Sequence, residues 1–143
     1  MTDGEYISIM KEVIQKHSLL NFKGALPFEP DKQSSEELQR DRDELLNIHH
    51  KTAFIACLNF FNNMKATNKR RHPNAPNSYT LKHVVEKLNP EIGHVPEGIL
   101  IAAGYHVGFR YNQVKTSQRN FWLDKATYNK FMQNHGLETQ YKM

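Results

Sequence analysis

Residues 78–88 (SYTLKHVVEKL), 89–95 (NPEIGHV), 96–107 (PEGILIAAGYHV) and 108–124 (GFRYNQVKTSQRNFWLD) decide the fold. In the first segment Leu81, Val84, Val85 and Leu88 recur at i, i+3, i+4 and i+7, which is one face of a helix. Ser78 follows the breaker run 73–77 (PNAPN) and is the expected N-cap, its side-chain oxygen satisfying first-turn amides. Lys82 and Glu86 have the spacing of an i, i+4 pair on the solvent side. Asn89-Pro90 stops this helix.

A second helix is expected over 96–107, with Pro96 in its first turn and the Glu97 charge complementing its positive end. Ile99, Leu100, Ile101, Ala102, Ala103 and Val107 make it apolar around most of its circumference, while Gly98 and Gly104 let a neighbour approach closely. Gly108 suits the residue after the helix, residues 109–114 suit a strand, and residues 120–123 suit its return. Helix, turn, helix and hairpin is the order of a winged helix-turn-helix core. The second helix of such a domain reads base edges with exposed Arg, Lys, Asn or Gln. Here it offers only Glu97, Tyr105 and His106, so burial is the favoured reading over groove contact. The hairpin is either a cationic wing carrying Arg110, Lys115 and Arg119 or an ordinary solvated tip.

The pattern Ser78-Tyr79-Thr80-Leu81-Lys82-His83-Val84-Val85-Glu86, followed by Val95-Pro96-Glu97-Gly98-Ile99-Leu100-Ile101-Ala102-Ala103 and Gly108-Phe109, resembles short bacterial proteins often encoded on plasmids or integrated elements. Their pattern runs Ser-Tyr-x-Leu-Lys-His-x-x-Glu, then Tyr-Val-x-Asn-Gly-x-x-Ile-x-Ala-Ala with a small polar residue before the Asn, and carries no established activity. This chain departs from it at His94, Pro96 and Glu97. The resemblance implies a bacterial or mobile-element origin and a shared fold.

At 143 residues, with 38% hydrophobic and 10% aromatic residues, the chain is long and apolar enough for one folded domain. It divides into an N-terminal helix and loop (1–33), a long helix (34–66), the helix-turn-helix and hairpin (78–124) and a last helix with a tail (125–143). The expected class is mainly α with one β-hairpin (α+β). No run is long enough to span a membrane, and the polar start Met1-Thr2-Asp3-Gly4-Glu5 is not a signal peptide, so a cytoplasmic setting is expected. Cys57, the only cysteine, lies in an apolar run and reads as a small buried hydrophobe, not a nucleophile. None of the eight histidines has metal-ligand spacing. Ser78, His83 and Glu86 lie close in sequence, but Ser78 is better explained as a cap than as part of a triad. No catalytic residue, metal or cofactor is assigned, and the expectation is a non-enzymatic binding protein.

Before this core, residues 5–17 have Tyr6, Met10, Val13 and His17 on one helical face, and 21–34 reads as a loop whose Leu26-Pro27-Phe28 forms a hydrophobic clip. Ser34 and Glu37 offer a capping box for residues 34–65, read as one helix or as two with a break near 41–43. After the core, Asp124 is the N-cap of a helix over 125–135.

Charge is strongly segregated. Residues 1–44 carry ten acids and six bases, a net −4, whereas residues 45–143 carry thirteen bases and five acids, a net +8. The acid-free interval between Glu44 and Glu86 contains Lys65, Lys69, Arg70, Arg71, His72 and Lys82. Another, 98–123, holds Arg110, Lys115 and Arg119. Such faces attract phosphates through counterion release, so these nine residues are the candidate nucleic-acid or partner-binding set. The leading expectation is contact with a nucleic acid, chiefly the DNA backbone. The alternative is an inhibitor or immunity-type module that presents the same cations to an acidic protein. Monomer and homodimer are both open.

Overall fold

The computed structural model describes residues 1–18, 20–25, 35–69, 75–112 and 119–137. Helix α1 (Asp3–Lys16) begins earlier than the apolar pattern predicts, because Thr2 and Glu5 form a reciprocal capping box. Tyr6, Met10 and Val13 are its buried face. Two short strands, β1 (Leu20–Asn21) and β2 (Gly24–Ala25), pair antiparallel in the segment read as loop. The fold is therefore mainly α with this extra pairing in addition to the expected hairpin.

The expected helix over 34–66 is two. Helix α2 (Ser35–Glu44) ends before Leu45, a 3-10 turn spans Ile48–His50, and α3 (Lys51–Asn62) follows. The break lies beyond residues 41–43 for a tertiary reason. Tyr6 donates its hydroxyl proton to the Leu45 carbonyl at 2.6 Å, and the Asn47 side chain accepts from the His49 amide at 3.0 Å. Backbone groups that would continue the helix are thus taken by a distant hydroxyl and a local side chain. The Leu26-Pro27-Phe28 clip and Ser34 lie outside the described residues.

Helix α4 (Ser78–Leu88) is followed by a turn and by α5 (Glu97–Val107). Asn77, not Ser78, caps α4, accepting from the Thr80 amide at 3.0 Å. Helix α5 is the centre of the molecule, packing on α3, α4, α1 and both N-terminal strands. Residues Ile99, Leu100, Ile101, Ala102 and Ala103 are fully buried. It is a core helix, as its all-round apolarity predicts. Gly108, at φ 99°, ends it in the left-handed conformation that glycine adopts without strain.

Strands β3 (Tyr111–Asn112) and β4 (Asn120–Phe121) form the expected hairpin, shorter than its sequence pattern, with its tip outside the described residues. The order helix, turn, helix, hairpin is present. Phe121 packs its ring on Phe61, Tyr105 and Tyr111, and it lies directly over Gly104, where a Cβ would sit 2.6 Å from the ring's Cε1. Beyond β4, Leu123 bridges antiparallel to Ala66, so the segment after α3 is drawn alongside the hairpin. Helix α6 (Lys125–Asn134) starts at Asp124, whose carboxylate accepts from the Thr127 amide at 3.0 Å, and buries Tyr128 and Met132.

Candidate functional site

Of the nine predicted cationic positions, the structure exposes Lys65, Lys69 and Arg110. Arg70, Arg71, His72 and Lys115 lie outside the described residues. Lys82 and Arg119 are corrections: they are only 5% and 3% exposed. Neither is a surface cation.

The backbone segments that carry the three exposed cations pair side by side as a ribbon. The Trp122 amide donates to the Arg110 carbonyl at 2.7 Å, and the Thr67 amide donates to the Trp122 carbonyl at 3.2 Å. The Asp124 amide donates to the Lys65 carbonyl at 2.7 Å. With Tyr111 opposite Phe121 and Ala66 opposite Leu123, Arg110, Trp122 and Thr67 stand side by side across the ribbon. Side chains alternate along a strand, so Arg110 and Trp122 share one side of the hairpin while Phe121 and Leu123 point to the core; on the third segment Lys65 and Ala66 are exposed. The Arg110 guanidinium lies 5.9 Å from the centre of the Trp122 ring, within cation–π reach. Two residues on, the Lys69 amide donates to Thr67 Oγ1 at 3.3 Å. The half-buried indole is held by its own Nε1, which donates to Asn112 Oδ1 at 2.8 Å.

One acid, Asp124, stands on this ribbon. Its carboxylate also accepts from the Thr127 hydroxyl at 2.7 Å, so its charge serves the start of α6.

Arg119 is buried because the chain needs its backbone and its side chain inside. Its Nε donates to the Tyr105 hydroxyl at 3.2 Å, and its guanidinium lies 5.8 Å from the Tyr111 ring centre. Its amide donates to Ser78 Oγ at 2.8 Å, and that hydroxyl in turn donates to Glu97 Oε2 at 3.1 Å. Burial pushes the Glu97 carboxyl above its ordinary value, against the Ser78 hydroxyl and the Lys82, Arg119 and His83 charges. Burial likewise pushes the Tyr105 hydroxyl up to about 12.

From within α4, the Lys82 side chain reaches the turn between α4 and α5. Its Nζ donates to the Val95 carbonyl at 3.2 Å and lies 3.7 Å from Glu86 Oε2. Glu86 accepts the Val95 amide at 2.7 Å, and its other oxygen is 2.6 Å from His83 Nδ1. Burial works against its charge, but the Val95 amide, His83 and Lys82 prevail and hold the Glu86 carboxyl below its ordinary value. The pair at 82 and 86 therefore forms as its spacing predicts, but inside the turn. Ser78, His83 and Glu86 do not assemble as a triad: the Ser78 hydroxyl is spent on Glu97 and Arg119. Cys57 is fully buried, and its thiol is pushed up by burial, away from nucleophilic use.

The residue that cation counting missed is Trp122. Its signal was the alternation of residues 120–123, which puts it opposite Arg110 once the hairpin register is known. No family model, curated protein or solved structure matches this chain. Among the described residues no helix is long and apolar enough to cross a membrane.

Proposed function

We propose that this chain is a non-enzymatic nucleic-acid-binding protein of mobile-element or phage type, working in the cytoplasm. Its contact surface is the outer face of the ribbon, where Lys65, Lys69 and Arg110 meet backbone phosphates around Trp122. The observation that carries this reading is the pairing of exposed Arg110 with Trp122, its guanidinium within cation–π reach of the ring, beside a segment that carries exposed Lys65 and Lys69. Cations so placed gain affinity by releasing condensed counterions, and arginine beside an aromatic ring adds a second mode of attraction to a stacked base. The mobile-element origin rests on the resemblance of residues 78–103. Phosphate contact explains the segregated charge without requiring a catalytic group.

Charge reversal tests the proposal. A Lys65→Glu/Lys69→Glu/Arg110→Glu variant, checked for an unchanged circular dichroism spectrum, should lose binding to random-sequence nucleic acid in fluorescence anisotropy at low salt. Undiminished binding by this folded variant would move the interface elsewhere. Absence of binding by the wild-type protein would overturn the proposal and turn attention to an acidic protein partner.

A further inference from the structure

Several other features stop short of a site. The cleft of about 190 Å³ between α4 and α6, lined by Tyr79, His83, Lys87, Tyr128 and Met132, has nothing on its walls that selects an occupant. The charged hollow formed by Lys23, Glu37, Arg40 and Asp41 is largely self-compensating. The ribbon carries more.

We infer that the ribbon takes single-stranded nucleic acid, with an unpaired base stacked on Trp122 and the flanking backbone held by Arg110 on one side and Lys65 and Lys69 on the other. This rests on the nucleic-acid reading above and names its substrate class.

Three observations select single strands over duplex. First, a duplex is read by an element that enters a groove, and the helix in the reading position of this fold, α5, is buried from Gly98 to Gly104. Its first turn carries Glu97, a carboxylate that would repel phosphate if ionised. Second, the centre of the cationic face is an indole. An aromatic face gains by stacking only on a base that is out of its own stack, which a duplex does not present and a single strand does. Third, the indole is set before any ligand arrives: Nε1 is tied to Asn112, and backbone bonds on both sides fix Trp122 between Arg110 and Thr67. Two steps of strand spacing put the backbones of Arg110 and Thr67 about 10 Å apart, with Trp122 between them. The same chemistry serves DNA and RNA, since neither stacking nor phosphate contact reads the 2′-hydroxyl.

The chain has one tryptophan, so its emission reports this residue alone. Wild-type protein is titrated with single-stranded DNA of about 12 nucleotides, with RNA of the same sequence, and with the corresponding DNA duplex. Anisotropy of labelled strands and tryptophan emission are read together. Quenched emission with single-strand affinity at least about tenfold above duplex affinity supports the inference, and the ratio of DNA to RNA affinity says which source is preferred. Trp122→Phe should keep much of that preference and Trp122→Ala should lower single-strand affinity about tenfold with duplex affinity little changed. If Trp122→Ala does not fold, the wild-type emission and the Phe variant decide. Equal or tighter duplex binding with unchanged emission would overturn single-strand selectivity while leaving nucleic-acid binding standing. No binding to any of the three would overturn both.

Discussion

Ser78 and Arg119 are joined by two bonds in opposite directions: the Ser78 amide donates to the Arg119 carbonyl at 2.7 Å, and the Arg119 amide donates to Ser78 Oγ at 2.8 Å. The first residue of α4 is thereby fastened to the start of the returning strand. Because Ser78 Oγ also donates to Glu97, one hydroxyl ties together α4, α5 and the hairpin. Ser78→Ala leaves the Arg119 amide without this acceptor in a buried site. The expected cost is about 2 kcal/mol, measured as a lower urea midpoint with unchanged slope. A loss within error would mean that water replaces the hydroxyl.

Gly104 and Phe121 fit each other only because Gly104 has no side chain. Gly104→Ala would drive a methyl group into the ring at 2.6 Å from Cε1, and the expected destabilisation is about 2 kcal/mol or more. Phe121→Leu, which removes part of the obstructing ring, should combine with Gly104→Ala less than additively in thermal melts.

Glu86 and Glu97 flank the same turn and titrate in opposite senses. Glu86 has a lowered folded-state pKa, so its ionised form stabilises the fold above its ordinary value of 4.5, and that contribution is lost as pH falls through the lower folded value. Glu97 has a raised folded-state pKa, so its ionised form costs stability at neutral pH, and the cost is relieved as pH falls through the raised value. At pH near 7 Glu86→Gln should therefore lower the urea midpoint and Glu97→Gln should raise it or leave it unchanged. The Glu97 difference should shrink as pH falls through its raised value to 4.5, and the Glu86 difference only as pH falls below 4.5.

Lys82 and Lys65 separate stability from binding. Removing the buried Lys82 ammonium leaves Glu86 without a cation at 3.7 Å and the Val95 carbonyl without a donor, so Lys82→Ala should cost about 2–4 kcal/mol in urea denaturation. Lys65→Ala should leave stability within about 0.5 kcal/mol and weaken nucleic-acid binding. The reverse pattern would contradict the division between a core Lys82 and a surface Lys65.

The helices were legible where local signals agree with burial. Leu81, Val84 and Val85 form the buried face of α4, Gly108 ends α5, and Asp124 caps α6. Two cap-forming residues in succession, Asn77 and Ser78, made the α4 start ambiguous by one residue, and tertiary bonds to Arg119 and Glu97 gave Ser78 another task. The interruption at Leu45 was invisible because its cause, Tyr6, is 39 residues away. The burial of Lys82 and Arg119 was equally hidden: a lysine or arginine goes inside only when partners from other segments satisfy it, and those partners are named by the fold. The ribbon lay beyond local reading for the same reason, since the pairing of Ala66 with Leu123 is long-range.

The salt dependence of wild-type binding to a labelled single strand, measured by anisotropy from low to physiological salt and above, reads phosphate contact directly. Three phosphate contacts, by Lys65, Lys69 and Arg110, predict a log–log slope of about −2 or steeper. Binding that is absent at low salt, or that does not change with salt, would rule out phosphate contact by the ribbon.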